Sequence, residues 1–209
     1  MFGDNMTKEE FISKIWGYYI MLENNFISTF QYVEPSDSNN TTYSKEYNKL
    51  LLSIGSEIDV VCKEMCKKIE SKTHDDVKNY KISDYKRVIS NYNNFINETC
   101  KYKINTEDLQ PWNEWNTKDS PTWWKNYNSL KHDRLLNDNH KLGSYINVRN
   151  SLAALYILCR VLYKNNYQLE PTPKSQLFSM NGWEIYNELG GGFVDVIDEH
   201  GNLSMSYYK

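Results

Sequence analysis

From Tyr145 to Leu162 the apolar residues Tyr145, Val148, Leu152, Leu155, Cys159 and Leu162 alternate in steps of three and four, close to a heptad seam. Only a helix brings such positions to one side, so the segment must lie against other elements along its whole length. It reads as the most buried helix of the chain. Within it, Leu152 to Cys159 is the longest uninterrupted apolar run. That is less than half of the roughly 18 residues that a membrane span needs, so no membrane partner is expected.

The same period recurs upstream. Thr7-Lys8-Glu9-Glu10 has the pattern of a capping box, and Phe11, Ile15, Tyr19, Leu22, Phe26, Phe30 and Val33 follow it on one helical stripe. That helix should stop within Glu34 to Asn40, where Pro35 disfavours helical geometry at Glu34. A second begins near Ser44 and carries Tyr47, Leu51, Ile54, Ile58, Val61, Met65 and Ile69, with Lys63, Lys67 and Lys68 where the helix dipole favours cations. Gly55 costs this helix about 1 kcal/mol relative to alanine, which points to a neighbour packed very close. Ser83-Asp84 reads as the cap of a third helix bearing Tyr85, Val88, Ile89, Tyr92 and Phe95. Residues 97–119 lose the period and read as a long ordered loop, with room for a short strand, pinned to the core by Trp112 and Trp115. Ser120-Pro121-Thr122 then opens a fourth helix, and the break at Asn137-Asp138-Asn139 and Gly143 separates it from the buried fifth.

Past Asn165-Asn166 the pattern changes to Pro171-Thr172-Pro173, Gly190-Gly191-Gly192 and the imperfect alternation of Phe193 to Ile197. Glu199-His200-Gly201-Asn202 reads as a turn, with Leu203 to Tyr208 returning as the second strand of a hairpin. The glycine run precedes a strand and opens no helix, so it is not a phosphate loop. The expected fold is mainly α: an antiparallel helical bundle over residues 1–169, with a small C-terminal β-hairpin appendage over 170–209 packed on the same domain. A length of 209 residues suits one ordinary domain, and 17 Tyr and 6 Trp are too many for a disordered chain.

Charge narrows the function. With 24 Lys+Arg against 27 Asp+Glu, the surface as a whole is not built to wrap a polyanion, although a local basic patch is compatible with the balance. Met1 to Glu10 mixes charges of both signs and has no signal-peptide pattern, so the chain reads as cytoplasmic. Cys62, Cys66, Cys100 and Cys159 form no Cys-x-x-Cys pair and read as buried reduced thiols, with no metal and no cofactor expected. The densest polar cluster is Asn128, Lys131, His132, Asp133 and Arg134 with His140 and Lys141 across the break. Trp123, Tyr127, Leu130 and Arg134 share one helical face, so Arg134 should continue the core-facing stripe, with His132 on the opposite side. A guanidinium there cannot lose its charge and needs either an internal acid, such as Asp138, or an anionic ligand. His140 follows six positions later, where a helix end turns the backbone back. An arginine and a histidine flanking one phosphodiester combine a fixed positive charge with a proton carrier, which is the equipment of metal-free RNA cleavage.

The stretch from Trp123 to Arg134, followed by Asn147-Val148-Arg149-Asn150-Ser151-Leu152-Ala153-Ala154-Leu155-Tyr156, resembles the C-terminal helix pair of HEPN-like proteins, especially small bacterial ones. Ser56 to Lys63 resembles their earlier long helix, and the resemblance extends over about residues 45–165. It implies a helical bundle, commonly dimeric, of a superfamily that includes metal-independent ribonucleases of toxin, phage-defence and CRISPR systems. Their signature is an arginine followed after four to six residues by a histidine, often with a polar residue just after the arginine. Arg134 and His140 match that separation, with Leu135 in the following position, and the pair is expected to be catalytic. Asn128, Lys131, His132 and Lys141 are expected to bind substrate. Expected partners are RNA or a nucleotide, a second copy of the chain, or another protein. The competing reading is a non-catalytic protein-interaction or nucleotide-sensing helical module.

Overall fold

A computed structural model describes residues 6–164 and 171–180, together with the backbone of strands at 184–186, 193–197 and 203–207. The first helical stretch runs from α1 (Lys8–Phe11) through a π-helical segment (Ile12–Trp16) into α2 (Gly17–Ser28). Its start is the expected reciprocal cap: the Glu10 N–H donates to the Thr7 hydroxyl at 3.2 Å, and the Thr7 N–H donates to the Glu10 carboxylate at 3.1 Å. α3 (Lys45–Glu70) follows, opened by Ser44, whose hydroxyl accepts the Tyr47 N–H at 3.0 Å. The helix α4 (His74–Val77) has no counterpart among the expected elements, because four residues are too few to show a period.

The third expected helix is displaced and shortened. It is α5 (Ile82–Ile89), whose Lys81 N–H donates to the Asp84 carboxylate at 2.9 Å, so Asp84 caps from inside the first turn. Beyond it Asn93 and Asn94 take left-handed backbone angles, φ 48° and 59°, which asparagine tolerates better than most residues. Phe95 is buried all the same, delivered by an irregular turn. The aperiodic stretch contains β1 (Cys100–Tyr102) and β2 (Glu107–Leu109), antiparallel with Cys100 opposite Leu109. α6 (Thr122–Asp133) and α7 (Tyr145–Lys164) complete the helices among the described residues. β3 (Phe178–Ser179) comes back to pair antiparallel with β1, Tyr102 opposite Phe178. The expected hairpin is present as β5 (Phe193–Ile197) and β6 (Leu203–Tyr207), with β4 (Glu184–Tyr186) added on the other side of β5. The glycine run 190–192 and the turn at 199–202 lie outside the described residues. The chain is thus mainly helical with small antiparallel sheets.

α7 is the centre of the core. Every residue from Ser151 to Tyr163 is buried, and α3 packs along it, with α2 and α6 at its flanks. Trp112 and Trp115 are buried as anchors, and the Trp112 indole N–H donates to the Ala154 carbonyl at 3.1 Å. Arg149, 4% exposed, is bonded to Glu107 at 2.8 Å with its guanidinium 5.6 Å from the Tyr102 ring, which ties the β1–β2 hairpin to α7. The segment 171–180 is held by a buried carboxylate on α2. Glu23 accepts from the Gln176 N–H at 2.9 Å, the Leu177 N–H at 3.1 Å, and the hydroxyls of Tyr19 and Ser175. All four cysteines are buried, and burial pushes Cys66 and Cys100 up to about 12, which makes them poor nucleophiles. No helix among the described residues is long and apolar enough to cross a membrane.

Gly55 explains itself by contact. A Cβ built on it would lie 2.4 Å from the Tyr127 ring, far inside contact distance, so glycine lets α6 lie directly on α3. Gly55→Ala is expected to gain up to about 1 kcal/mol of helix propensity and lose about 1–3 kcal/mol to overpacking, lowering the urea midpoint. Glu57, partly buried on the same helix, makes no hydrogen bond or ion pair among the described residues, and burial pushes its carboxyl up to about 7. Between an unfolded value near 4.3 and about 7 the native state binds the extra proton, so this group makes stability fall as pH rises through that window. Glu57→Gln should therefore be about 1–2 kcal/mol more stable than the parent at pH 8 and equal to it at pH 4 in urea titrations. An identical difference at both pH values would contradict the assignment.

Candidate functional site at the α6–α7 junction

Two features fix α6 in place. At its start the Thr122 N–H and hydroxyl both donate to the Glu114 carboxylate, which comes from a 3-10 turn (Asn113–Asn116). Burial pulls that carboxyl up, but the bonds from Lys118 and Thr122 outweigh it and hold it below its ordinary value. Ser120, in the stretch expected to open this helix, does not cap it; an acid from outside the helix does, and its charge suits the positive end of the dipole. Farther along, the Trp123 indole N–H donates to the Pro111 carbonyl at 2.9 Å, and Trp123, Trp124, Tyr127 and Leu130 are buried.

The helix then ends at Asp133, and the chain closes on itself. The Leu136 N–H and the Asn139 side-chain amide both donate to the Asp133 carbonyl, each at 2.9 Å. Asn137 and Asp138 supply left-handed angles, φ 49° and 60°, and a 3-10 turn (Asn139–Leu142) follows. The far end is stitched to the segment before α3: the Tyr145 N–H donates to the Thr42 carbonyl at 2.9 Å, the Ile146 N–H to the Asn40 carbonyl at 3.1 Å, and Tyr43 bridges Ser144. Gly143 lies so close to Asn48 that no side chain fits there.

Arg134 does not continue the core-facing stripe. The stripe ends with Leu130, and Arg134 caps the helix from an exposed position with no hydrogen bond or ion pair among the described residues. The desolvation cost of a guanidinium is avoided by ending the helix one residue before it. The acid expected to claim it, Asp138, is instead bonded to Lys141 at 2.8 Å. That pairing lowers the Asp138 carboxyl and raises the Lys141 ammonium from their ordinary values. His132 is not segregated from Arg134 either. Residues 130–136 curl around an open depression of about 520 Å³, lined by Lys131, His132, Asp133 and Arg134 together with Leu52, Leu130, Leu135 and Leu136.

His140 is placed differently. Its Nδ1 lies 4.0 Å from Asp138, its ring meets Tyr43 edge to face at 5.8 Å between centroids, and its side chain is 44% exposed. Asn128 is half-buried one turn back on α6 and does not line the depression, while the Lys131 ammonium lies 5.5 Å from the Tyr127 ring centroid. Lys131 and His132 on the last turn of α6 thus line one depression with Arg134, while His140 and Lys141 lie beside Asp138 and do not line it. Sequence reasoning misses Leu52, Leu136 and Tyr43. The leucine pair directly after a polar run was a usable signal, since apolar residues at a helix end are either packed or displayed; Tyr43 had none. Among the described residues no group of three or more His, Cys, Asp or Glu is arranged to hold a metal ion.

No protein-family model matches the chain, nor does any curated protein or solved structure. The functional reading therefore rests on the geometry of this junction. Because Glu114 sets the start of α6, Glu114→Ala is expected to cost about 1–2 kcal/mol in urea denaturation. An unchanged midpoint would show that the cap does not hold the helix.

Proposed function

We propose that this protein binds single-stranded RNA at the α6–α7 junction and cleaves it without a metal ion, as the HEPN resemblance implies for a toxin or phage-defence ribonuclease. The observation that carries the reading is the uncommitted guanidinium of Arg134, open to solvent beside Lys131 and His132 on the loop that also bears His140. A folded chain keeps an arginine free of acids at little cost only where water or an anion serves it. In the reaction, His140 accepts the proton of a ribose 2′-hydroxyl, and that oxygen attacks the neighbouring phosphorus. The bond from phosphorus to the 5′-oxygen breaks, and the leaving oxygen takes a proton from solvent. Arg134 stabilises the charge that develops on the phosphoryl oxygens. The products are a 2′,3′-cyclic phosphate and a 5′-hydroxyl. Lys131 and His132 hold an adjoining phosphate, and the inner leucines of the depression, Leu52 and Leu130, accept a base.

Leu135 and Leu136, 89% and 57% exposed, favour a second element of the same reading. Two copies meeting through this tip would cover the leucines and add a second set of cations to the groove. The same leucines support the competing reading, a docking module for another protein without catalysis.

Incubation of the protein with single-stranded RNA in EDTA is expected to yield fragments with cyclic phosphate ends. Arg134→Ala combined with His140→Ala should slow cleavage by at least about 100-fold. Undiminished cleavage by the double variant rejects this site. Binding without turnover reduces the reading to RNA recognition, and neither binding nor turnover favours the docking module.

A further inference from the structure

Tyr43 belongs to no helix stripe, and the chemistry at Arg134 does not use it. It is nevertheless held firmly. The Tyr43–Ser144 bridge, the 3.3 Å bond from the Ser44 N–H to the Gly143 carbonyl and the 2.9 Å bond from the Tyr145 N–H to Thr42 fix its backbone on both sides. Tyr43 is 47% exposed, and among the described residues its ring meets that of His140 edge to face at 5.8 Å. A large aromatic ring is therefore clamped by its main chain and left half open to water beside an accessible imidazole. A core tyrosine would be covered.

We propose that Tyr43 is a base-stacking platform that seats the nucleotide next to the scissile phosphate, so that the RNA strand passes from the leucine-floored depression, across Arg134, to Tyr43 and His140. The proposal rests on the RNA reading above and adds a substrate-contacting residue from a separate part of the chain. Stacking on an aromatic face is tolerant of sequence, because every base has one, so Tyr43 supplies affinity and register without selecting a base. Its ring edge or face against His140 also limits the imidazole orientations open to a proton transfer. The hydroxyl has no part in stacking, so phenylalanine should substitute and an aliphatic side chain of similar bulk should not.

The test uses the full chain and a labelled 2′-O-methyl oligouridylate, which lacks the attacking hydroxyl and reports binding alone. A series with a single abasic residue at each position in turn is measured alongside. Wild type is expected to lose about 5-fold to 100-fold in affinity at one abasic position, the range that alanine substitution at stacking residues implies. Tyr43→Ala and Tyr43→Leu should show that same loss on the intact oligonucleotide and no further loss at that abasic position. Tyr43→Phe should bind within about twofold of wild type. Equal binding by Tyr43→Leu and wild type overturns the platform while leaving the RNA reading intact. An equal penalty for every abasic position in wild type overturns it too, and that arm needs no variant to fold. Absence of any binding by folded wild type overturns the RNA reading itself, and the platform with it.

Discussion

A helix buried on every side over most of its length has to be enclosed by everything else, and α7 is that helix. From Ser151 to Tyr163 every residue is at most 7% exposed, so the other elements are arranged by the need to cover it. Apolar contact alone does not finish the task, because polar groups on such a helix must be answered by partners brought from far away. Arg149 is answered by Glu107 from the β1–β2 hairpin, and the Ala154 carbonyl receives a second donor from Trp112. The aperiodic middle of the chain is ordered for this reason: it supplies polar partners and indole rings to the core helix, although its own segments are too short to be stable.

The same enclosure accounts for the junction at which function is proposed. α6 lies tight on α3 because Gly55 leaves room for Tyr127, and α7 is fixed in the core. Residues 134–144 must therefore connect two helix ends whose positions that packing sets. They do so by turning back onto the Asp133 carbonyl and by pairing with the segment before α3. The polar residues of this connection can satisfy themselves with one another, as Asp138 and Lys141 do, or face solvent, as Arg134 does. A rigid scaffold that presents an uncommitted cation, an accessible imidazole and displayed leucines on one loop is a reasonable place for recognition, since loops carry function most often where their ends are held.

Particular residues show where reading by pattern succeeds and where it stops. The Thr7–Glu10 cap, the long stripe of α3, the buried seam of α7 and the tight approach at Gly55 were all legible, because each depends on neighbours within a few positions or on a period. The third helix was misplaced by a residue or two at its start, since Asp84 caps from within the first turn. It was overextended at its end, where Asn93 and Asn94 take left-handed angles that a stripe of apolar residues does not reveal. At the site, the cluster of polar residues was identified, but its internal arrangement was not. Projection of Arg134 onto the buried stripe and of His132 onto the far side assumed a helix running through both. It stops at Asp133, and the turn that follows gathers His132, Arg134 and the leucines around one depression.

By itself the amino-acid sequence determined the long helices, which of them is innermost, where the chain breaks between α6 and α7 and which polar residues crowd that break. These follow from local propensity and from the period of burial, both of which act over a few residues. Tertiary structure alone decided that β3 closes the sheet begun by β1, that Glu23 clasps the segment 171–180, that Glu114 caps α6, and that Tyr43 stands against His140. Each of those is a meeting of groups distant along the chain, and the free energy that selects it comes from desolvation and hydrogen-bond satisfaction in the assembled core, which no single segment possesses on its own.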